Sequence, residues 1–407
     1  MNSLERVSLE TVDPQIKRFI SAYEEYERCK QALDVALKGD DETQKKYWLK
    51  RFRESEEELA KACVFNFDDH RLLAYDYGAI TALAVELGVS LNKLSEILDL
   101  EVFDGRITEF FLRVHLFLKD IHFDFSRLRH VRKIGLNLSF KQDEVTLVPP
   151  ASAETVQIHG TSYQNHNFKC IDARRCDKLE SLICSNIALN QVYLSGSSIR
   201  RIFLSYVGLP ERFILNAVKD LESLRIDQIY TTSTRAEIIL QNLQSLGHVE
   251  VNVYGSPRTN MVLYGCPKLA RMKLGRVLSI SGLDKTAEAL EELEITSSSF
   301  SSLRLGRKPN LSKLSIRSHE STTLSLDVSG CQNLKELDLS YGYFRQDGIE
   351  IKGLSSAHRG MTLKALGVDL PGSFINRVES LGIKIITSSG MQSGIPRVLG
   401  SSFLPPP

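Results

Sequence analysis

Leu324-Ser-Leu-Asp-Val-Ser-Gly-Cys331-Gln-Asn-Leu334-Lys-Glu-Leu-Asp-Leu-Ser340 holds two short runs of alternating apolar and polar residues joined by a polar corner. Alternation puts successive side chains on opposite faces of a strand, so each run predicts one strand with its leucines turned inward. The second run, Leu334-x-x-Leu337-x-Leu339, has counterparts upstream. They are Leu179-x-x-Leu182, Ile199-x-x-Ile202-x-Leu204, Leu221-x-x-Leu224-x-Ile226, Leu246-x-x-Val249-x-Val251, Leu269-x-x-Met272-x-Leu274, Leu290-x-x-Leu293-x-Ile295 and Leu311-x-x-Leu314-x-Ile316. Their first positions are spaced by 20, 22, 25, 23, 21, 21 and 23 residues. A fixed period of that length predicts a stacked coil, one supersecondary unit per turn.

The first run has offset counterparts too, in Leu189-x-x-Val192-x-Leu194 and Phe300-x-x-Leu303-x-Leu305, so each turn is expected to carry two strands. The period and the L-x-x-L-x-L spacing are those of leucine-rich repeats. The segment from Leu324 to Ser340 resembles the repeats of bacterial internalin-like proteins, whose unit is roughly 21 residues. Gly265-Cys-Pro-Lys-Leu269, Arg175-Cys-Asp-Lys-Leu179 and Lys308-Pro-Asn-Leu311 are weaker copies. The likeness is interrupted at 207 to 217 and 227 to 245, where Arg212 to Val218 and Arg235 to Leu246 read as helical insertions.

Outward from this core, the chain divides into an α+β arrangement. Residues 1–120 read as a helical domain: an αα-hairpin, with Ile16, Phe19, Ile20, Tyr23, Tyr26, Leu33 and Leu37 on one stripe and Trp48, Phe52, Leu59 and Cys63 on the next. Helices over Leu72 to Leu87, Ser90 to Leu98 and about Asp104 to Lys119 follow. Residues 121–154 are expected to form a junction and N-terminal cap. Residues 155–386 form the leucine-rich-repeat β-solenoid, with short strands on both faces and a helix–strand cap around Phe374 to Ile386. Residues 387–407, rich in Ser, Gly and Pro, are expected to be disordered.

The composition narrows the function classes. Lys+Arg 51 against Asp+Glu 50 leaves a formal charge of +1, so no global field draws the chain to nucleic acid or an anionic membrane. Seven scattered cysteines in a chain with its own core point to a reducing compartment. The opening residues, Met1 to Phe19, carry charges where a secretion signal needs an apolar run, and no later stretch reaches the roughly 20 apolar residues of a membrane span. The expectation is a cytoplasmic protein, with signal-less delivery into a host cell as one setting that the internalin-like resemblance implies.

Stacked strands also predict surface chemistry, because residues at one repeat position become neighbours. Arg225, Glu250, Lys273 and Glu294 fall in one outward column, and Arg271, Glu292, Lys313 and Glu336 in the next. Their alternating signs suggest compensated ladders, whereas a nucleic-acid binder needs a single-signed basic stripe. Tyr193 and Phe203, outward by the same alternation, are candidate apolar anchors for a protein partner.

Other motifs compete with structural roles. Ala84-x-x-Leu87-Gly88-Val89-Ser90-x-x-x-Leu94-x-x-Ile97 has the spacing of a helix-turn-helix, and a DNA-binding regulator with the solenoid as sensor is the alternative reading. Its presented face, Asn92, Lys93, Ser95, Glu96 and Asp99, has one base and two acids, which suits phosphate poorly. His159, His166, Cys170 and Cys176 have no common zinc spacing. Cys170-Ile-Asp172 resembles the C-x-D nucleophile of bacterial ubiquitin ligases, but those enzymes place it in a domain beyond the repeats. No nucleotide, hydrolase or metalloprotease motif is present. The reading is a non-enzymatic scaffold for a protein partner, with no cofactor and no metal.

Overall fold

The computed structural model describes residues 14–39, 41–62, 64–114, 118–119, 121–139, 142–161, 166–194, 196–229, 235–253, 258–297, 302–319 and 322–388. The expectations for Cys63, for Phe300 and for the tail from residue 389 lie outside them. From Arg106 to Thr387 the chain is a β-solenoid of about 11 turns with roughly 23-residue spacing. Its contacts divide the chain into two compact units. One is 1–213 with 218–221 and 225–232; the other is 214–217, 222–224 and 233–407.

The first unit opens with α1 (Pro14–Lys38) and α2 (Glu42–Ala62), the expected αα-hairpin. Asp41 caps α2, its carboxylate accepting the N–H groups of Thr43 and Gln44 at 2.8 and 3.2 Å. Tyr26, Cys29 and Leu33 fall at three- and four-residue steps and are buried. Tyr26 meets Phe52 of α2 at 5.2 Å between ring centroids. A hairpin of β1 (Val64–Phe67) and β2 (His70–Leu73) leads into α3 (Ala74–Glu86), which turns at Gly88 into α4 (Leu91–Ser95). Thus Leu72 belongs to β2 rather than to the helix predicted from that residue.

A second correction follows. The helix expected from Asp104 to Lys119 is an antiparallel hairpin of β3 (Leu98–Phe103) and β4 (Arg106–Val114). Asp76 of α3 fixes its place: this buried carboxylate accepts the Ile107 N–H at 2.8 Å. β4 is also the first parallel rung of the coil, so the solenoid begins ahead of the expected residue-120 boundary. Beyond it, in order, lie Lys133–Leu138, Thr155–Gly160, Ser181–Ser185, Arg201–Ser205 and Ser223–Ile229. A second sheet covers the other face, with Gln142–Val148 and His166–Asp172 at its centre.

In the second unit the first sheet runs from His248–Val253 through Arg271–Gly275, Glu292–Ser297, Lys313–Ser318, Glu336–Asp338 and Thr362–Ala365 to Lys384–Thr387. Leu293, Leu314 and Leu337 lie on adjacent parallel rungs, as the repeat requires. Each buried leucine contributes about 1.5–3 kcal/mol from lost apolar exposure. The other face carries Arg212–Asn216, Arg235–Gln241, Arg258–Tyr264 and Val277–Ser281, then a separate sheet of Ser302–Arg304, Thr322–Asp327 and Phe344–Lys352. So the helical insertions expected at Arg212 to Val218 and Arg235 to Leu246 are strands followed by corners. The predicted end cap is α5 (Gly372–Ser380) with Lys384–Thr387.

Some corners turn without glycine, although Gly265, Gly282 and Gly353 serve at others. Asn186, Tyr206 and Arg276 directly follow strands of the first sheet, and Ala217 and Asn242 directly follow strands of the four-stranded sheet that begins at Arg212–Asn216. All five adopt left-handed backbone, with φ from 53 to 57°. Each N–H still reaches the next turn: Tyr206 donates to the Asp227 carbonyl and Asn242 to the Tyr264 carbonyl, both at 2.8 Å. A single left-handed residue therefore bends the chain and continues the ladder at once.

Candidate partner-binding faces

Within the first unit, alternation puts Phe110, Ile134, Val156, Leu182 and Ile202 inward, where all are buried. Their neighbours Phe111, Gly135, Gln157, Ile183 and Phe203 stand in one outward column, each in register with the next. Adjacent rungs lie about 4.8 Å apart, so Phe111 and Phe203 are roughly 19 Å from each other. The Phe111 ring occupies the space over Gly135, where a Cβ would fall 2.2 Å from its Cδ1. A larger residue at 135 would lift that ring off the sheet.

Both end rings carry a cation. Lys133 Nζ lies 5.0 Å from the Phe111 centroid, and the Arg225 guanidinium 5.4 Å from that of Phe203. Such contacts add about 0.5–1 kcal/mol at exposed sites. Between them the flanks hold Thr155 and Ser181 on one side, with Lys133 and Arg201 on the rungs either side of them, and Asn137, His159, Ser185 and Ser205 on the other. His159 Nδ1 and Ser185 Oγ lie 2.7 Å apart, and burial pushes the imidazole below its ordinary pKa, toward the neutral form. The strip is half-buried, with Phe111, Ile183 and Phe203 apolar and Gln157 polar along its axis.

The first sheet of the second unit has a different surface. Arg271, Glu292, Lys313 and Glu336 stand on successive rungs in the predicted order, beside Glu250, Lys273, Glu294, Ser315 and Asp338. Lys273 meets Glu294 at 3.9 Å, and Glu336 meets Lys364 at 2.8 Å. The Glu336 carboxylate holds the Lys364 ammonium above its usual range. Exposed pairs of this kind contribute about 0–1 kcal/mol each, so they set register and solvation more than stability.

Of the residues singled out from sequence, then, Phe203 meets Arg225, and the six charged residues from Arg271 to Glu336 share a face. Tyr193 does not join Phe203. It lies on Val192–Tyr193 of the opposite sheet, with Arg174 5.0 Å over its ring. The turn at Gly196, with φ 93°, lies between the two strands, so alternation cannot be carried from one to the other. Sequence reasoning missed Phe111, Gln157 and Ile183. The signal for Gln157 and Ile183 was present: each lies between two buried apolar residues, Val156 and Ile158, Leu182 and Cys184.

The other motifs resolve into structural roles. α4 has 5 residues, buries Leu94 and pairs Lys93 with Glu96, which leaves little to present to a groove. Cys176 donates its thiol to the Pro150 carbonyl at 3.3 Å, and burial pushes its pKa to about 12. Burial and the neighbouring Asp172 also raise the Cys170 pKa, the opposite of what an activated nucleophile needs. Among the described residues no helix is long and apolar enough to cross a membrane, and no group of three or more His, Cys, Asp or Glu stands ready to hold a metal. No protein-family model matches this chain, and no curated protein sequence matches it.

Proposed function

We propose that this chain is a non-catalytic scaffold that binds a protein partner through the outward strip from Phe111 to Phe203. The observation that carries the reading is that strip itself: Ile183 and two cation-capped rings on a parallel sheet, bordered by hydrogen-bonding side chains with Lys133 and Arg201 among them. Apolar and aromatic anchors inside a polar rim are the arrangement of protein interfaces. The charged face of the second unit, compensated along its own rungs, serves solubility and orientation. In finer terms the turns are leucine-rich repeats of the internalin-like kind. The setting is the cytoplasm of the producing cell, or a host cell reached without a signal peptide.

Affinity capture from the producing cell or from a host-cell extract tests this, comparing intact protein with Ile183→Asp and with Lys273→Glu. Both positions face outward, so circular dichroism should be unchanged. A partner recovered by the intact chain and by Lys273→Glu, and lost with Ile183→Asp, is the expected outcome. Identical recoveries from all three would remove the strip as the binding face.

A further inference from the structure

One basic stretch belongs to neither face. Arg127-Leu-Arg129-His130-Val-Arg132 turns the chain into the strand Lys133–Leu138, and its apolar members Leu128 and Val131 are buried. The four basic side chains therefore project outward. Arg129 is engaged, 3.8 Å from Glu56 and 4.9 Å from the centroid of Tyr75. His130 and Arg132 instead line an open cavity of about 500 Å³ whose other walls are Glu101, Val102, Phe103, Arg106 and Thr108.

The β3–β4 hairpin builds that cavity. Phe103 and Arg106 are partners in its register, and the Arg132 N–H donates to the Thr108 carbonyl at 2.8 Å. Among the described residues neither Arg106 nor Arg132 forms an ion pair. Two guanidiniums thus face one carboxylate, Glu101. Phe103 is 76% exposed, a large apolar surface left in water at the edge of a charged hollow.

We propose that this cavity binds a phosphate monoester, its dianion held between Arg106 and Arg132 and its organic group laid against Phe103. A phosphate offers three acceptor oxygens to two planar guanidinium forks, more than a single carboxylate could. The exposed ring favours an aryl ester, a phosphotyrosine-like side chain, over the bare ion. His130 reads the site. It is faced by Arg106 from β4, by Arg129 and Arg132 from its own loop, and by Glu101 from β3. Burial, then Arg106 and Arg129, lower its pKa. A bound dianion offsets that positive potential, so binding raises the affinity of His130 for a proton.

The test is a titration of the full chain at constant ionic strength, with phenyl phosphate, inorganic phosphate and benzoate as probes, followed by the His130 ring resonance in NMR. Phenyl phosphate should saturate and raise the His130 midpoint, with inorganic phosphate weaker. Arg106→Ala and Arg132→Ala should each weaken it about tenfold, the loss of one charge-assisted contact. Glu101→Gln should strengthen it, and Phe103→Ala should reduce phenyl phosphate to the level of inorganic phosphate, all with unchanged circular dichroism. Absence of a saturable shift, arginine variants that bind like the parent, or benzoate binding as tightly as phenyl phosphate would overturn the proposal.

Discussion

Replacing Lys308 by Met should stabilise the protein, and the gain should shrink as pH rises. Lys308 is fully buried, and it occupies a corner position that is apolar in most other turns. That position precedes an inward leucine by three residues and accepts its N–H: Cys266 before Leu269, Ala287 before Leu290, Lys308 before Leu311, Cys331 before Leu334. Its ammonium has three donors, and the carbonyl of Arg307, at 3.2 Å, takes one. A buried polar group left partly unmatched costs about 1–3 kcal/mol, and Met keeps the length of the stem without the charge, so Lys308→Met should gain about that amount near pH 7. Burial lowers the native pKa of Lys308 below its ordinary value of 10.5, only partly opposed by Cys331, Glu288 and Asp284. Between the two values the unfolded chain binds more protons than the native one, so wild-type stability rises with pH across that window and the penalty is complete below it. The thiols act in reverse. Cys331 and Cys176, raised by burial to about 12 from 9.0, cost stability as pH rises above that ordinary value. Both proteins share the Cys176 loss, and the variant, lacking the Lys308 ammonium that lowers Cys331, loses more at Cys331, which narrows the gap in the same direction. Urea unfolding of both proteins, from about pH 7 to about pH 10, gives the difference directly. A variant no more stable than wild type at pH 7, or a gap that does not change with pH, would refute the reasoning.

Asp76→Ala should destabilise the first unit by about 1–3 kcal/mol because it strands the buried Ile107 N–H, while Asp76→Asn, which keeps an acceptor oxygen, should cost less; urea melts of the two variants decide it. Gly306 and Gly360 both have positive φ, but a Cβ at 306 would lie 2.4 Å from the Asp284 carbonyl oxygen, whereas at 360 nothing lies within 4 Å. Thermal melts should therefore show Gly306→Ala losing several degrees more than Gly360→Ala, whose cost is the left-handed backbone alone, about 1–2 kcal/mol.

The rungs from Leu269 to Leu339 could be read from sequence because each inward pair is flanked by outward polar residues, leaving one consistent period. The misread segments share a physical cause. In Arg235–Gln241 the strand ends and Asn242 turns left-handed, so Leu240, Leu243 and Leu246 are all buried at steps of three, the spacing of a helix produced by a corner. Leu215, Val218 and Leu221 repeat this around Ala217. In β4, Ile107 and Phe110 are buried three residues apart, and the pairing of β3 with β4 shifts register between Glu101 and Val102. That shift breaks the alternation which marks a strand. Reading β4 as a helix then hid Phe111, the end of the candidate strip. The basic cavity was illegible for another reason: Arg106 and Arg132 are far apart in sequence and meet only because β4 and the strand after Arg132 are neighbouring rungs.

The left-handed corners carry a consequence for how the molecule comes into being. A lone loop of chain bent at Tyr206 or Ala217 bears a conformational penalty of about 1–2 kcal/mol at that residue, with no hydrogen bond in return. Once a neighbouring loop is in place, the corner N–H finds its carbonyl and the penalty is offset. Growth from an existing layer is therefore favoured over starting a new one, and assembly should spread from a seed like a zipper. A chain cut in mid-loop would fray back to its last complete neighbour and stop there.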